Sequence, residues 1–97
     1  MESLSQKKTT AVGIDQVRPT AYQIRSGHFV VPRVFYQAHK SALAWESSFN
    51  VVAFGKVYRD KKIDYDRRLN IRLRDTIEAG DVLRLNISDG YLHIEKT

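Results

Sequence analysis

The residue types that do chemistry are present in this chain, but their spacing assembles no reaction centre. The three histidines, His28, His39 and His93, have no metal-ligand spacing such as His-x-x-x-His, and no glutamate accompanies them in a zinc-protease arrangement. There are no cysteines, which excludes disulfides, thiolate metal sites, iron–sulfur clusters and cysteine nucleophiles. A Walker A loop, a dinucleotide fingerprint and a Gly-x-Ser-x-Gly elbow are all missing, and the five glycines are isolated at turns or in strands rather than gathered into a phosphate-cradling loop. The expectation is a chain with no catalytic residues, no metal, no cofactor and no enzyme activity.

What the sequence does concentrate is positive charge. Sixteen Lys and Arg against eleven Asp and Glu give a net charge of +5, a balance that favours an anionic partner, nucleic acid first and an acidic protein or membrane surface behind it. Eight of those sixteen cations, Lys56, Arg59, Lys61, Lys62, Arg67, Arg68, Arg72 and Arg74, fall within residues 56–74, diluted by Asp60, Asp64 and Asp66, with Asp75 adjoining. Such a cluster is either a phosphate-binding surface or a solvated, salt-bridged hairpin.

Aromatic residues lie among these cations. Single-stranded nucleic acid exposes its bases, so rings for stacking beside Lys or Arg for phosphates can hold it without reading sequence. Phe54, Lys56 and Tyr58 alternate along one strand candidate, Arg72 and Arg74 lie on a neighbouring one, and Tyr91 and His93 on the last. The expected binding set is therefore Phe54, Lys56, Tyr58, Arg59, Lys61, Lys62, Arg67, Arg68, Arg72, Arg74 and Tyr91. The bland alternative makes Phe54 a second layer of core and Tyr58 a mere strand former.

The elements that must position these residues read as short β-strands. Residues 1–10 are polar and without periodicity, a tail; residues 11–97 read as one β-barrel-like domain. His28 to Tyr36 (HFVVPRVFY) reads as a strand kept at an edge or bulge by Pro32. Gln37 to Ser48 carries Ala38, Ala42 and Trp45 at roughly helical spacing, enough for a turn or two of helix or a loop. Phe49 to Tyr58 (FNVVAFGKVY) is the strongest strand, with Phe49, Val51, Ala53 and Val57 on one side and Asn50, Val52, Phe54, Lys56 and Tyr58 on the other. Arg59 to Lys62 then reads as a turn returning the chain through Ile63 and Tyr65.

Farther along, Leu69, Ile71 and Leu73 alternate with Asn70, Arg72 and Arg74, the pattern of a half-buried strand. Ala79-Gly80-Asp81 is a turn, Leu83, Leu85 and Ile87 share a face, Ser88-Asp89-Gly90 is a tight turn, and Leu92 and Ile94 point inward from the last strand. No internal repeat is visible. The fold class expected is mainly β: a small five- to six-stranded barrel or curled meander, OB-like, with at most one short helix. No stretch approaches membrane-span length and the N-terminal residues lack the apolar run of a signal peptide, so a soluble cytoplasmic protein without membrane contact is expected. Ninety-seven residues suffice for one modest core, and dimerisation is a plausible way to cover more apolar area.

Trp45 to Lys56 (WESSFNVVAFGK) resembles the third strand of OB-fold single-stranded DNA-binding proteins, in which an aromatic, an apolar pair and a Gly-Lys step recur. Arg68 to Ile94, with Asn-Ile-Arg before Gly80-Asp81 and Ser88-Asp89-Gly90 before the last strand, is similar to the end of bacterial translation initiation factor one, another OB-fold family. These resemblances imply a barrel that takes single-stranded DNA or RNA on a sheet face. Ile77 to Leu85 and Ser88 to Ile94 also resemble the C-terminal half of the swapped-hairpin transcription factors of the AbrB and MazE type. That resemblance implies an intertwined dimer gripping duplex DNA, although Arg68 and Asp75 stand where proline and leucine would be expected. Arg68-Leu69-Asn70-Ile71-Arg72 and Asn86 to Gly90 approximate the two halves of the cyclic-dinucleotide-binding PilZ pattern, the glycine falling one residue early. A third class of function, a small protein-interaction or accessory factor, needs the charge only for solubility.

Overall fold

The computed structural model describes residues 10–43, 47–64 and 66–97. Nearly all of the residue 1–10 tail therefore lies outside the described residues, as do Trp45 and Tyr65. The chain is mainly β, running β1 (Thr10–Gly13), β2 (Gln16–Arg18), α1 (Ala21–Ser26), β3 (His28–Val30), α2 (Arg33–Ala38), α3 (Lys40–Leu43), β4 (Phe49–Ala53), β5 (Lys56–Lys61), β6 (Arg68–Asn70), β7 (Leu83–Ser88) and β8 (Tyr91–Lys96). Six strands form one sheet in the order β1-β2-β7-β8-β4-β5, and β3 pairs with β6 in a second sheet of two. Neighbours are antiparallel except β4 and β8, which run parallel. Because β1 and β5 have no further strand beside them among the described residues, the sheet does not close into a barrel, one of the two forms expected, the other being a curled meander.

Alternation decides which side of each strand is buried. Phe49, Val51 and Ala53 of β4, Leu83 and Leu85 of β7, and Leu92 and Ile94 of β8 all turn into the core, with Ile87 packed against it. Leu69, Ile71 and Leu73 are buried as their spacing predicts, although only residues 68–70 make strand ladder; Ile71 and Leu73 continue as extended chain. The turns at Ala79-Gly80-Asp81 and Ser88-Asp89-Gly90 also stand where expected, the latter with Asp89 and Gly90 both at positive φ.

Four expectations are corrected. The strand read through His28–Tyr36 stops at Val30, and α2 begins at Arg33 directly behind Pro32, whose missing N–H cannot continue a ladder but costs nothing at a helix start. There are three short helices among the described residues, not one. The long strand Phe49–Tyr58 is two strands: Phe54 and Gly55, at φ 53° and 82°, form a two-residue turn that pairs Ala53 with Lys56 and Val51 with Tyr58. Both residues at positive φ are what a tight hairpin between right-twisted strands requires. The supposed turn at Arg59–Lys62 is instead the end of β5, where Asp60 at φ 57° donates its N–H to Asn50 Oδ1 at 3.2 Å beside a register shift.

One arrangement occurs twice. A three-residue strand leads through a connection into a hairpin closed by a two-residue turn, first as β3, α2–α3 and β4–β5, then as β6, residues 71–82 and β7–β8. The two units interlock: β3 crosses β6 antiparallel about Phe29↔Leu69, and β4 lies parallel to β8. The matching place beside β7 is taken by β2, which leaves β5 unpaired on its outer side. No repeat shows in the residues because the connections differ, one helical and one made of turns.

Candidate functional site

Helix α1 fixes one wall of a groove that presents basic side chains. Thr20 and Gln23 form a reciprocal cap: Gln23 N–H donates to Thr20 Oγ1 at 3.1 Å and Thr20 N–H to Gln23 Oε1 at 3.0 Å. The helix ends at Gly27, whose φ of 84° disfavours any side chain, and whose N–H closes the last turn onto the Gln23 carbonyl at 2.8 Å. The Gly27 carbonyl then accepts from Ile71 N–H at 2.8 Å, extending the β3–β6 ladder by one rung. That bond sets Arg25 and Ser26 beside residues 70–74. The Ile63↔Leu69 bridge brings the end of β5, with Lys61, to the same place.

The result is a groove of about 330 Å³ lined by Arg25, Ser26, Gly27, Lys61 and residues 70–74. Because Ile71 and Leu73 are buried, Asn70, Arg72 and Arg74 stand on the open side at alternate positions. Four cations therefore face one volume, and no carboxylate is among the lining residues. Two of these cations lie against aromatic rings. The Arg25 guanidinium lies 5.8 Å from the centre of the exposed Tyr22 ring, and Lys61 Nζ lies 5.7 Å from that of Tyr58. Arg72 is the only one of the four in an ion pair among the described residues, with Nε 2.6 Å from Asp75 Oδ2. Arg72 also lines a neighbouring hollow of about 30 Å³ with Phe54, Lys56, Tyr58, Asp75 and Thr76.

Of the residues expected from sequence, Phe54, Lys56, Tyr58, Lys61, Arg72 and Arg74 thus come together around the groove and hollow. The rings are not the free outer platform that strand alternation suggested. The Phe54-Gly55 turn reverses the chain, so Tyr58 pairs with buried Val51, and both Phe54 and Tyr58 are half-buried against the core. Tyr91 stands apart: it pairs with Ser88 on the side of β8 opposite buried Leu92, 6.4 Å from the His93 ring. Arg59 and Lys62 are exposed but line neither volume.

Arg67 and Arg68 are engaged elsewhere. Arg67, at φ 63°, donates from Nε to the Val31 carbonyl at 3.0 Å, while its own carbonyl accepts from Val31 N–H at 2.8 Å. Arg68 lies 3.8 Å from both Asp64 and Asp66, in a turn that Asp64 closes by accepting from the N–H groups of Asp66 and Arg68. The two arginines of the PilZ-like pattern are accordingly split between an ion-paired turn and the groove.

Tyr22, Arg25 and Ser26 are the site residues outside the sequence-derived set. Their signals are local, a Thr-x-x-Gln cap and a Gly stop around Arg25, and nothing in the spacing announces that this helix end meets residues 70–74. Among the described residues no group of three or more His, Cys, Asp or Glu could hold a metal ion, and no helix is long and apolar enough to cross a membrane. Compared with known proteins, the chain matches no family model, no curated protein and no solved structure.

Proposed function

We propose that this chain is a non-catalytic nucleic-acid-binding protein whose ligand is single-stranded DNA or RNA, bound along the basic groove. The observation that carries this reading is the convergence of Arg25, Lys61, Arg72 and Arg74 on one groove with no lining carboxylate, Arg25 and Lys61 each lying near an aromatic ring. Phosphates supply most of the affinity in such a site, and stacking on the accessible face of Tyr22 or Tyr58 adds tolerance of any base sequence. The resemblance to OB-fold proteins supports the same ligand, and a nucleic-acid ligand goes with a cytoplasmic location.

The test is a fluorescence-anisotropy titration of the full chain with a labelled single-stranded oligonucleotide and with its duplex, at several salt concentrations. The single strand binds more tightly, and Arg25→Ala with Arg74→Ala flattens the salt dependence by about 0.7 in log–log slope per lost phosphate contact. A chain that binds neither form at low salt overturns the proposal.

A second reading, a duplex-DNA regulator, has one observation in its favour. Two strand–connection–hairpin units interlock inside the same chain, β3 with β6 and β4 with β8, as the intertwining that the swapped-hairpin resemblance implies for two copies would do. Tighter binding to the duplex in the same titration selects this reading.

A further inference from the structure

The groove has an internal spacing. Asn70 and Arg72 project from the same side of the chain at alternate residues, about 6.5 Å apart along the wall, close to the separation of neighbouring phosphates in an extended nucleic-acid strand, and Arg74 follows as the first residue of the turn 74–76. Arg25 and Lys61 face them from α1 and β5. The groove, about 330 Å³ and open to solvent, has room for a short stretch of one strand.

Arg72 is the one cation of this set that is already occupied. Its Nε lies 2.6 Å from Asp75 Oδ2, yet the two side chains are 61% and 63% exposed. An exposed pair of this kind gives little net stabilisation, because water screens it and both side chains lose rotamer freedom. A phosphate oxygen offers the guanidinium a charge-assisted bond of the same geometry. Arg72 also forms the wall shared by the groove and the aromatic hollow, and Asp75 lines the hollow but not the groove.

We infer that the groove is a subsite for adjacent phosphates of one nucleic-acid strand, and that Asp75 is the carboxylate these phosphates displace from Arg72. The inference rests on the nucleic-acid reading above and adds to it a ligand register and a built-in competitor. Asp75 lowers affinity by occupying Arg72 in the free protein, so its removal tightens binding.

The experiment is a double-mutant cycle on the full chain, read by anisotropy with a labelled oligothymidylate single strand. Asp75→Asn, which keeps the side-chain shape, raises affinity by up to about fivefold, the range of one exposed ion pair. Arg72→Ala weakens binding and reduces the salt slope by about 0.7, one single-strand phosphate contact. In the Arg72→Ala background Asp75→Asn gives no gain, since its effect runs through that arginine. Thermal melts verify that each variant remains folded, as expected for exposed side chains.

A gain from Asp75→Asn that persists without Arg72 is a general charge effect and overturns the inference. So does a wild type that binds while all three variants match it, an outcome that leaves the nucleic-acid reading intact. A wild type that binds no single strand at low salt overturns both.

Discussion

Hairpins β4–β5 and β7–β8 are closed by the same kind of turn, yet one is margin and the other is core. Hairpin β7–β8 has β2 on one side and β4 on the other, and Leu83, Leu85, Leu92 and Ile94 are all buried. Hairpin β4–β5 is half of this: β4 is inside the sheet, whereas β5 is an edge whose six residues are exposed or half-exposed, Val57 at 52%. The difference lies in what each strand can afford to display. An edge presents unpaired backbone groups and is guarded by charge, here Lys56, Arg59 and Lys61, of which Lys61 lines the groove and Lys56 the neighbouring hollow. Stability and binding are therefore assigned to different hairpins, and the assignment can be broken by substitution.

The largest effect is expected in the inner hairpin. Leu85→Ala or Leu92→Ala removes a side chain that is 1% exposed and leaves a cavity, at a cost of about 2–5 kcal/mol in urea unfolding. Val57→Ala at the edge changes stability by about 0.5 kcal/mol or less. Equal losses at the two positions would mean that β5 is covered in solution, by a second copy or another chain.

Why one hairpin was legible in the sequence and the other was not follows from the same contrast. In β7–β8 the leucines alternate cleanly, and Ser88-Asp89-Gly90 marks the turn with residues that tolerate positive φ. In β4–β5 the turn falls on Phe54-Gly55 inside the apolar run VVAFGKVY, and a phenylalanine at positive φ is not a residue that signals a turn. Read without that turn, the run keeps alternating and sends Tyr58 outward; with it, Tyr58 faces Val51 and the core. Likewise HFVVPRVFY has the β-branched density of a strand, and only the geometry after Pro32 shows a helix. The basic cluster at 56–74 was legible as charge, but its division into Arg72 and Arg74 in the groove and Arg67 and Arg68 in a turn depends on contacts with Val31 and Asp64, 36 and 4 residues away in sequence.

The turns themselves give a middle-sized test. Gly55 and Gly90 sit at φ 82° and 80°, and a Cβ at either would meet nothing within 4 Å. Any cost of Gly→Ala is then purely conformational, about 1–2 kcal/mol at each turn. Equal destabilisation by Gly55→Ala and Gly90→Ala shows that both turns are formed in the folded state and that the hairpins differ only in their flanks. A negligible loss at Gly55 alone would show that β5 detaches from β4 at little cost.

The smallest effect concerns the crossing of the two units. His28 begins β3 and pairs with Asn70 of β6, its ring 6.0 Å edge-on from Tyr22. Burial lowers its pKa below the ordinary value of 6.5, the Arg68 guanidinium lowers it further, and the Asp64 carboxylate opposes both. The folded chain thus binds the imidazole proton less readily than the unfolded chain, so stability rises with pH across the interval between the folded pKa and 6.5. Above that interval the contribution is constant; as pH falls from 6.5 it is progressively lost. The imidazole is only partly buried, so the change is a fraction of what full burial gives. Urea unfolding of the wild type at pH 8 and at pH 5 should show lower stability in acid, and His28→Gln should flatten the part of that difference that lies near pH 6. Acid sensitivity that survives His28→Gln unchanged would assign it to the carboxylates instead, and the β3–β6 crossing would carry no proton-linked strain.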